Sequence, residues 1–313
     1  MRLRPHKRWD EEGVASTVGT IMALMVFLAF LSMFTSQYVP VWMEENEASH
    51  MSEVYGQFAA LKQAVDMQVL AGAIQGTSPV EMYSPVKLGA AGIPMFAAPT
   101  AGVLSIYRGN SYNNVSFSFA TGATVTNFTT TSGGTIKLYA GNRYFIPQEV
   151  AYENDALILK QSDGQYMKAM PQFTVTPAGG KFQISFTQMD MRGDDINYIG
   201  FGTRGIKTSM RSATTTTFTN LTGNIASGAR HQYLYINQTT WYEKAWNASF
   251  NQTLSAAGLT YGVDYMITST IRPNNDPIDD FYQISIRINP ALISRFSLTV
   301  ANVEVSTAEM GAV

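Results

Sequence analysis

Cysteine is absent from the 313 residues, which excludes disulfides, thiolate metal sites and cysteine nucleophiles. Charge is scarce: Asp, Glu, Lys and Arg make up 14%, and the formal net charge is −2. Basic residues are scattered beyond the first eight positions, so no nucleic-acid partner is expected. His6, His50 and His231 are too dispersed for a His-based metal site. No fixed-period repeat and no nucleophile–base arrangement is visible, so neither an enzyme activity nor a cofactor is expected. One absence is local. Positions 14–43 hold thirty residues without a charged side chain.

A bilayer core needs about twenty mainly apolar residues in a helix, so this run can span it with tilt to spare. Helix is the expected form, because an isolated strand would leave backbone groups unpaired in hydrocarbon. Arg2, Arg4, Lys7 and Arg8 precede the run, while Glu44, Glu45 and Glu47 follow it. That asymmetry predicts a cytoplasmic N-terminus, membrane lipid around the helix and an extracellular remainder. Trp9 at one end, with Tyr38 and Trp42 at the other, suits two interfacial aromatic belts. The run is longer than the core of a secretory signal, and no small-x-small cleavage site follows it. Ala15, Gly19 and Ala23 share one helix face and permit close approach of like helices.

Beyond Pro40, which removes one helical hydrogen bond, the pattern becomes amphipathic. Met51, Val54, Tyr55, Phe58, Leu61, Val65 and Val69 recur at helical spacing, opposed by Ser52, Glu53, Gln57, Lys62 and Asp66. Gly72 and then Gly76-Thr77-Ser78-Pro79 should end this continuation, giving it residues 44–76. Residues 77–102, with Pro79, Pro85, Pro94 and Pro99, read as a linker. Short β-branched or aromatic stretches follow at 103–107, 115–119, 135–139, 156–160, 172–176 and 181–188. Ser162-Asp163-Gly164-Gln165 reads as a hairpin turn. A second helix is predicted over 241–254, with Thr240 and Glu243 as a capping box and Gly258 closing its end. Strands near 263–271, 282–288 and 296–305 complete the chain, the first two joined by the turn Pro273-Asn274-Asn275-Asp276-Pro277. The expected fold class is α+β: a long N-terminal membrane or filament helix carrying a mainly antiparallel β head over 103–313. A break near 200–230 can divide that head into two subdomains.

Few motifs carry chemistry. Gly200-Phe201-Gly202-Thr203-Arg204-Gly205 matches a dinucleotide fingerprint in letters, but Ile206-Lys207-Thr208-Ser209-Met210 reads as a strand where a phosphate-binding helix is required. Asp190, Asp194 and Asp195, and separately Asp276, Asp279 and Asp280, offer oxygens that Ca²⁺ could take, but neither set has EF-hand spacing, and solvated loop carboxylates are the stronger reading. Six N-x-Ser/Thr sequons, at Asn114, Asn127, Asn220, Asn237, Asn247 and Asn251, are candidate glycan acceptors in an exported domain.

Asp10-Glu11-Glu12-Gly13 stands directly before the apolar run, and the lack of a Cβ at Gly13 lets backbone extend into a protease cleft. A short basic leader, a charged residue with Gly, and then a hydrophobic helix resembles the class III signal of archaeal type IV pilin-like proteins. Asn142-Arg143-Tyr144-Phe145, then Val150-Ala151-Tyr152-Glu153-Asn154-Asp155-Ala156-Leu157-Ile158-Leu159, then Met170-Pro171 and the Trp241…Trp246 helix, look like patterns in uncharacterised members. The resemblance implies a prepilin peptidase as partner, processing at Glu12-Gly13-Val14 and removal of leader 1–13. Cutting there leaves 17 Lys+Arg against 20 Asp+Glu. Val18 stands at the fifth mature position, where many pilins carry Glu. The implied role is structural or adhesive at the cell surface, with like subunits or other pilins as partners through 14–43. The alternative reading is an uncleaved, singly anchored ectodomain that binds a ligand, a glycan or the surface layer.

Overall fold

Thirty uncharged residues followed by apolar positions three and four apart make one uninterrupted α-helix, α1 (Trp9–Gly72). The computed structural model describes residues 9–72, 80–272 and 281–309. At 1.5 Å per residue α1 is about 96 Å long. Pro40 lies inside it and leaves the Ser36 carbonyl without its helical donor, yet the helix continues. Every side chain over 15–38 is exposed or half-exposed. The most apolar window of this half has mean hydropathy 2.2 and none of it is buried, so α1 is long and apolar enough to cross a membrane. At Val39 the helix changes character. Val39, Met43, Met51, Val54, Phe58, Leu61, Val65 and Val69 are buried along one stripe against the rest of the chain. Tyr55, expected on that stripe, faces outward.

The strands are β1 (Glu81–Lys87), β2 (Gly102–Thr121), β3 (Thr124–Ala140), β4 (Gln148–Glu153), β5 (Ala156–Gln161), β6 (Gly164–Ala169) and β7 (Phe173–Ala178). They continue with β8 (Lys181–Arg192), β9 (Ile196–Gly200), β10 (Thr203–Phe218) and β11 (Leu234–Thr240). After helix α2 (Glu243–Ala256) come β12 (Tyr265–Arg272), β13 (Phe281–Ile288) and β14 (Ile293–Glu309). One sheet has the order β1-β10-β14-β8-β7. The other runs β12-β13-β11-β2-β3-β4-β5-β6, with β9 also on β2. Pairing is antiparallel except between β8 and β14.

Turn chemistry explains the hairpins. Asn154 and Asp155, at φ of 42° and 66°, form the two-residue β4–β5 turn, and Gly179-Gly180, at 60° and 78°, form that of β7–β8. Ser162 and Asp163 join β5 to β6, as the sequence indicates. The dinucleotide-like glycines lie where β9 ends and β10 begins, with a strand in place of the helix a phosphate needs.

Two apolar cores result. One packs the α1 stripe against Val86, Leu104, Ile106, Ile136, Leu138, Tyr152 and Val303. The other packs Trp246, Phe250 and Leu254 of α2 against Phe117, Phe186, Ile236, Ile286 and Phe296. Both sheets draw strands from each side of 200–230, so that stretch does not separate them.

Several expectations change. Residues 81–87 of the expected linker form edge strand β1, and Pro85 is tolerated there because an edge strand has one unpaired side. The pairs 103–107 and 115–119 are one strand, interrupted only by a register shift between Tyr107 and Tyr112. At α2 the capping box does not form: the Thr240 hydroxyl accepts from Tyr242 N–H at 3.0 Å, so the helix starts two residues later. Gly258 closes the helix at φ 95°, as expected. The leader residues 1–8, the stop at Gly76-Thr77-Ser78-Pro79 and the Pro273–Pro277 turn lie outside the described residues, as do Asp276, Asp279 and Asp280.

Phe58→Ala, on the buried stripe, is expected to cost about 3–5 kcal/mol in denaturant unfolding, whereas Tyr55→Ala stays within about 0.5 kcal/mol of wild type. Equal losses at the two positions would contradict the docked face.

Candidate functional site: the helix seam and the sheet cleft

Met43, Glu47, His50, Met51 and Val54 follow one another on the buried face of α1, so a carboxylate is carried into the seam. Glu47 is 0% exposed. The Thr100 hydroxyl donates to its Oε1 at 2.6 Å, and the N–H of Arg143 does so at 3.0 Å. The next two amides, of Tyr144 and Phe145, donate to Oε2 at 2.8 Å. Three consecutive N–H groups thus cradle an anion, as backbone nests do. Burial alone would raise this carboxyl, but the hydrogen bonds outweigh it and hold it below the usual Glu range.

Further polar contacts continue along the seam. His50 Nε2 lies 2.9 Å from the Lys87 carbonyl and therefore carries the proton, while burial holds its pKa below the usual His range. Gln57 accepts from Lys87 N–H at 2.9 Å. Gln68 donates to the carbonyls of Val80 and Thr208 at 2.8 and 2.9 Å. Lys62 reaches the buried Asp155 of the β4–β5 turn at 2.8 Å, and Asp155 also accepts from Gln172 N–H. These contacts read out axial position as well as burial.

A second buried carboxylate ties the cores together. Glu153 accepts from Trp246 Nε1 at 2.8 Å, Gln238 Nε2 at 3.0 Å and Thr135 Oγ1 at 3.3 Å. Burial pushes it up to about 7, although hydrogen bonds from Thr240, Ser111, Trp246 and Thr135 pull the other way. Nearby, Asn113 of β2 donates to Gln238 and accepts from Gln188 of β8, linking the two sheets.

A cleft of about 520 Å³ opens on the large sheet. Its floor is a row across four strands, Val103–Tyr139–Glu149–Lys160, set by register, with Ser105, Tyr107 and Lys137 beside it. Glu149 accepts from Tyr242 OH at 2.8 Å and pairs with Lys137 at 3.1 Å. Lys137 Nζ also lies 4.8 Å from the Trp241 ring centroid. Aromatic faces beside amide and charged groups can stack on and hydrogen-bond a polar ligand. Among the described residues, no three His, Cys, Asp or Glu side chains converge as a metal site.

The residues expected to matter are placed as follows. Glu12, Gly13 and Val14 lie in the helical backbone near the start of α1. Ala15, Gly19 and Ala23 are all exposed, and nothing lies within 4 Å of a Cβ built on Gly19. Among the sequons, Asn114 and Asn237 are register partners on adjacent strands, and Asn237 donates to Asn114 at 3.3 Å. Asn127 accepts from the Ser118 hydroxyl and Arg230 N–H. Asn251 accepts from Tyr265 OH at 2.6 Å. Asn220 is exposed at φ 57°, and Asn247 is half-exposed one turn from Asn251. Asp190 pairs with Arg192, Asp195 accepts from Arg108 N–H, and His231 packs near Tyr235. Sequence reasoning treated Glu47 as a flanking charge. Its spacing, four from Met43 and four from Met51, is the signal that places it on the stripe.

Two carboxylates should leave opposite pH signatures. Glu47, held low when folded, contributes stability that is complete above the unfolded Glu value and lost as pH falls through its folded value. Glu47→Gln is expected to cost about 1–3 kcal/mol near neutrality, and the loss shrinks in acid. Glu153, raised to about 7, makes the wild type lose stability as pH rises from the ordinary Glu range towards 7; Glu153→Gln flattens that decline. Denaturant titrations from acid to pH 8 read both, and identical pH profiles for the two variants would contradict the assignment. Compared with protein-family models, curated proteins and solved structures, the chain matches none of them.

Proposed function

We propose that the chain is a type IV pilin-like surface subunit: a structural or adhesive head displayed on an N-terminal helix. The division of α1 supports this reading, since 15–38 presents apolar side chains to its surroundings while 39–72 packs on the head. A helix of that kind inserts with its basic end in the cytoplasm. Cleavage after Gly13 then makes Val14 the N-terminus. Extraction into a bundle exchanges lipid contact for contact with like helices, and Ala15, Gly19 and Ala23 allow backbones to approach.

The sheet cleft favours a second reading, an uncleaved ectodomain on a single anchor that binds a polar ligand or glycan there. Glycans on the sequons, the exposed Asn220 and the half-exposed Asn247 first, suit either reading, because neither side chain is built into a strand pair.

N-terminal sequencing of the chain recovered from membranes distinguishes the two. A mature chain starting at Val14, with the leader retained in Gly13→Leu, supports the pilin-like subunit. An intact leader on the wild-type surface protein overturns processing and leaves the simple anchor.

A further inference from the structure

Residues 88–100, read from sequence as linker, form an ordered finger laid along α1. Backbone bridges join Ala90 to Thr100 and Ile93 to Ala97. Its two sides run so close that a Cβ on Gly92 would stand 2.4 Å from the Ala97 carbonyl oxygen, which fixes the narrow shape. Asn46 donates to the Ala91 carbonyl at 3.3 Å, and Thr100 holds Glu47, so the finger is pinned where α1 meets the head. From there it descends the helix. The Phe96 ring reaches Phe34, with centroids 5.2 Å apart.

The tip is Pro94-Met95-Phe96, and all three are exposed. Met95 is 100% exposed and sits at φ 67°, a conformation that costs a non-glycine residue free energy and that Gly or Asn would take more easily. A bulky apolar side chain held outward at a strained position needs a medium to receive it.

Position along α1 identifies that medium. Glu44 is the first charge after the apolar run. Phe34 lies ten residues, about 15 Å, to the apolar side of it. The uncharged run measures about 45 Å, which matches a bilayer with its headgroup zones, about 30 Å of it hydrocarbon. Phe34 therefore falls about 7 Å inside the outer edge of the hydrocarbon, and Tyr38 and Trp42, packed on it at 5.8 and 5.5 Å, lie between it and Glu44 as an interfacial belt. Whatever touches Phe34 shares its depth.

We propose that the finger tip, Pro94, Met95 and Phe96, dips into the outer leaflet of the bilayer that α1 crosses, giving the head a second, lipid contact beside its helix. This rests on the membrane-spanning reading of α1. The contact sets the head's height and tilt against the membrane, and extraction into a filament must first withdraw it.

The absence of cysteine makes the test free of background. Met95→Cys in the full chain carries a nitroxide in phosphatidylcholine nanodiscs holding one copy each, and collisions with oxygen are compared with those with a water-soluble nickel complex. Ala23→Cys on α1 and Ala123→Cys on the β2–β3 turn serve as references, and Pro94→Cys repeats the reading if the label at 95 disturbs folding. A severalfold higher oxygen-to-nickel ratio at 95 than at 123 is the expected result. A label at 23 in lipid but at 95 in water overturns the proposal and leaves the span intact. A label at 23 in water overturns the span itself and the proposal with it. Shielding at 95 that appears only in crowded vesicles assigns the tip to a second copy of the chain and overturns the lipid contact.

Discussion

A buried carboxylate is tolerated only when its oxygens are filled with donors, and Glu47 meets that condition in one axial position of α1. Slide the helix by one turn and the charge leaves Thr100 and the amides of 143–145, stranded against apolar neighbours. Hydrophobic packing alone is less exacting, since a stripe of Val, Leu and Phe side chains can slip along another apolar surface. The polar contacts convert a sticky seam into a registered one. His50, Gln57, Gln68 and the Lys62–Asp155 pair repeat the reading along the same helix.

Registration has consequences at both ends. It fixes how many residues of α1 stand clear of the head, and so how far the head lies from any membrane the helix crosses. It also fixes the finger, because Thr100 binds the same carboxylate and Asn46 holds the descending side. The bare half, the finger tip and the aromatic belt therefore belong to one arrangement. In the head, Glu153 does for the two cores what Glu47 does for the seam, but its hydrogen bonds do not outweigh burial, so its pKa is raised where that of Glu47 is lowered.

Much of the outline was legible in the sequence. The uncharged run and the i, i+3, i+4 recurrence after it foretold a two-part helix, and alternation in Lys181–Phe186 foretold a strand, because burial on one face imposes those periods. The β11 strand was missed because Gln238, Thr239 and Thr240 are polar yet buried, their side chains drawn into a network that local pattern does not reveal. Strand β1 was missed because its proline is read locally as a breaker, while its position at a sheet edge is a long-range fact. Glu47 shows the same limit at the seam. The spacing that puts it inside is local, but the donors that make it welcome come from residues 100 and 143–145.

The central claim is that α1 from Val39 onward is a structural part of the head, and that, the finger tip apart, only the part before it requires an apolar surrounding. A chain beginning at Val39 tests this directly by thermal unfolding in buffer without detergent. It should remain in solution as a monomer and melt in one cooperative transition, with helix and sheet signals lost together. Aggregation without detergent, or a helix signal that melts ahead of the sheets, would contradict the claim.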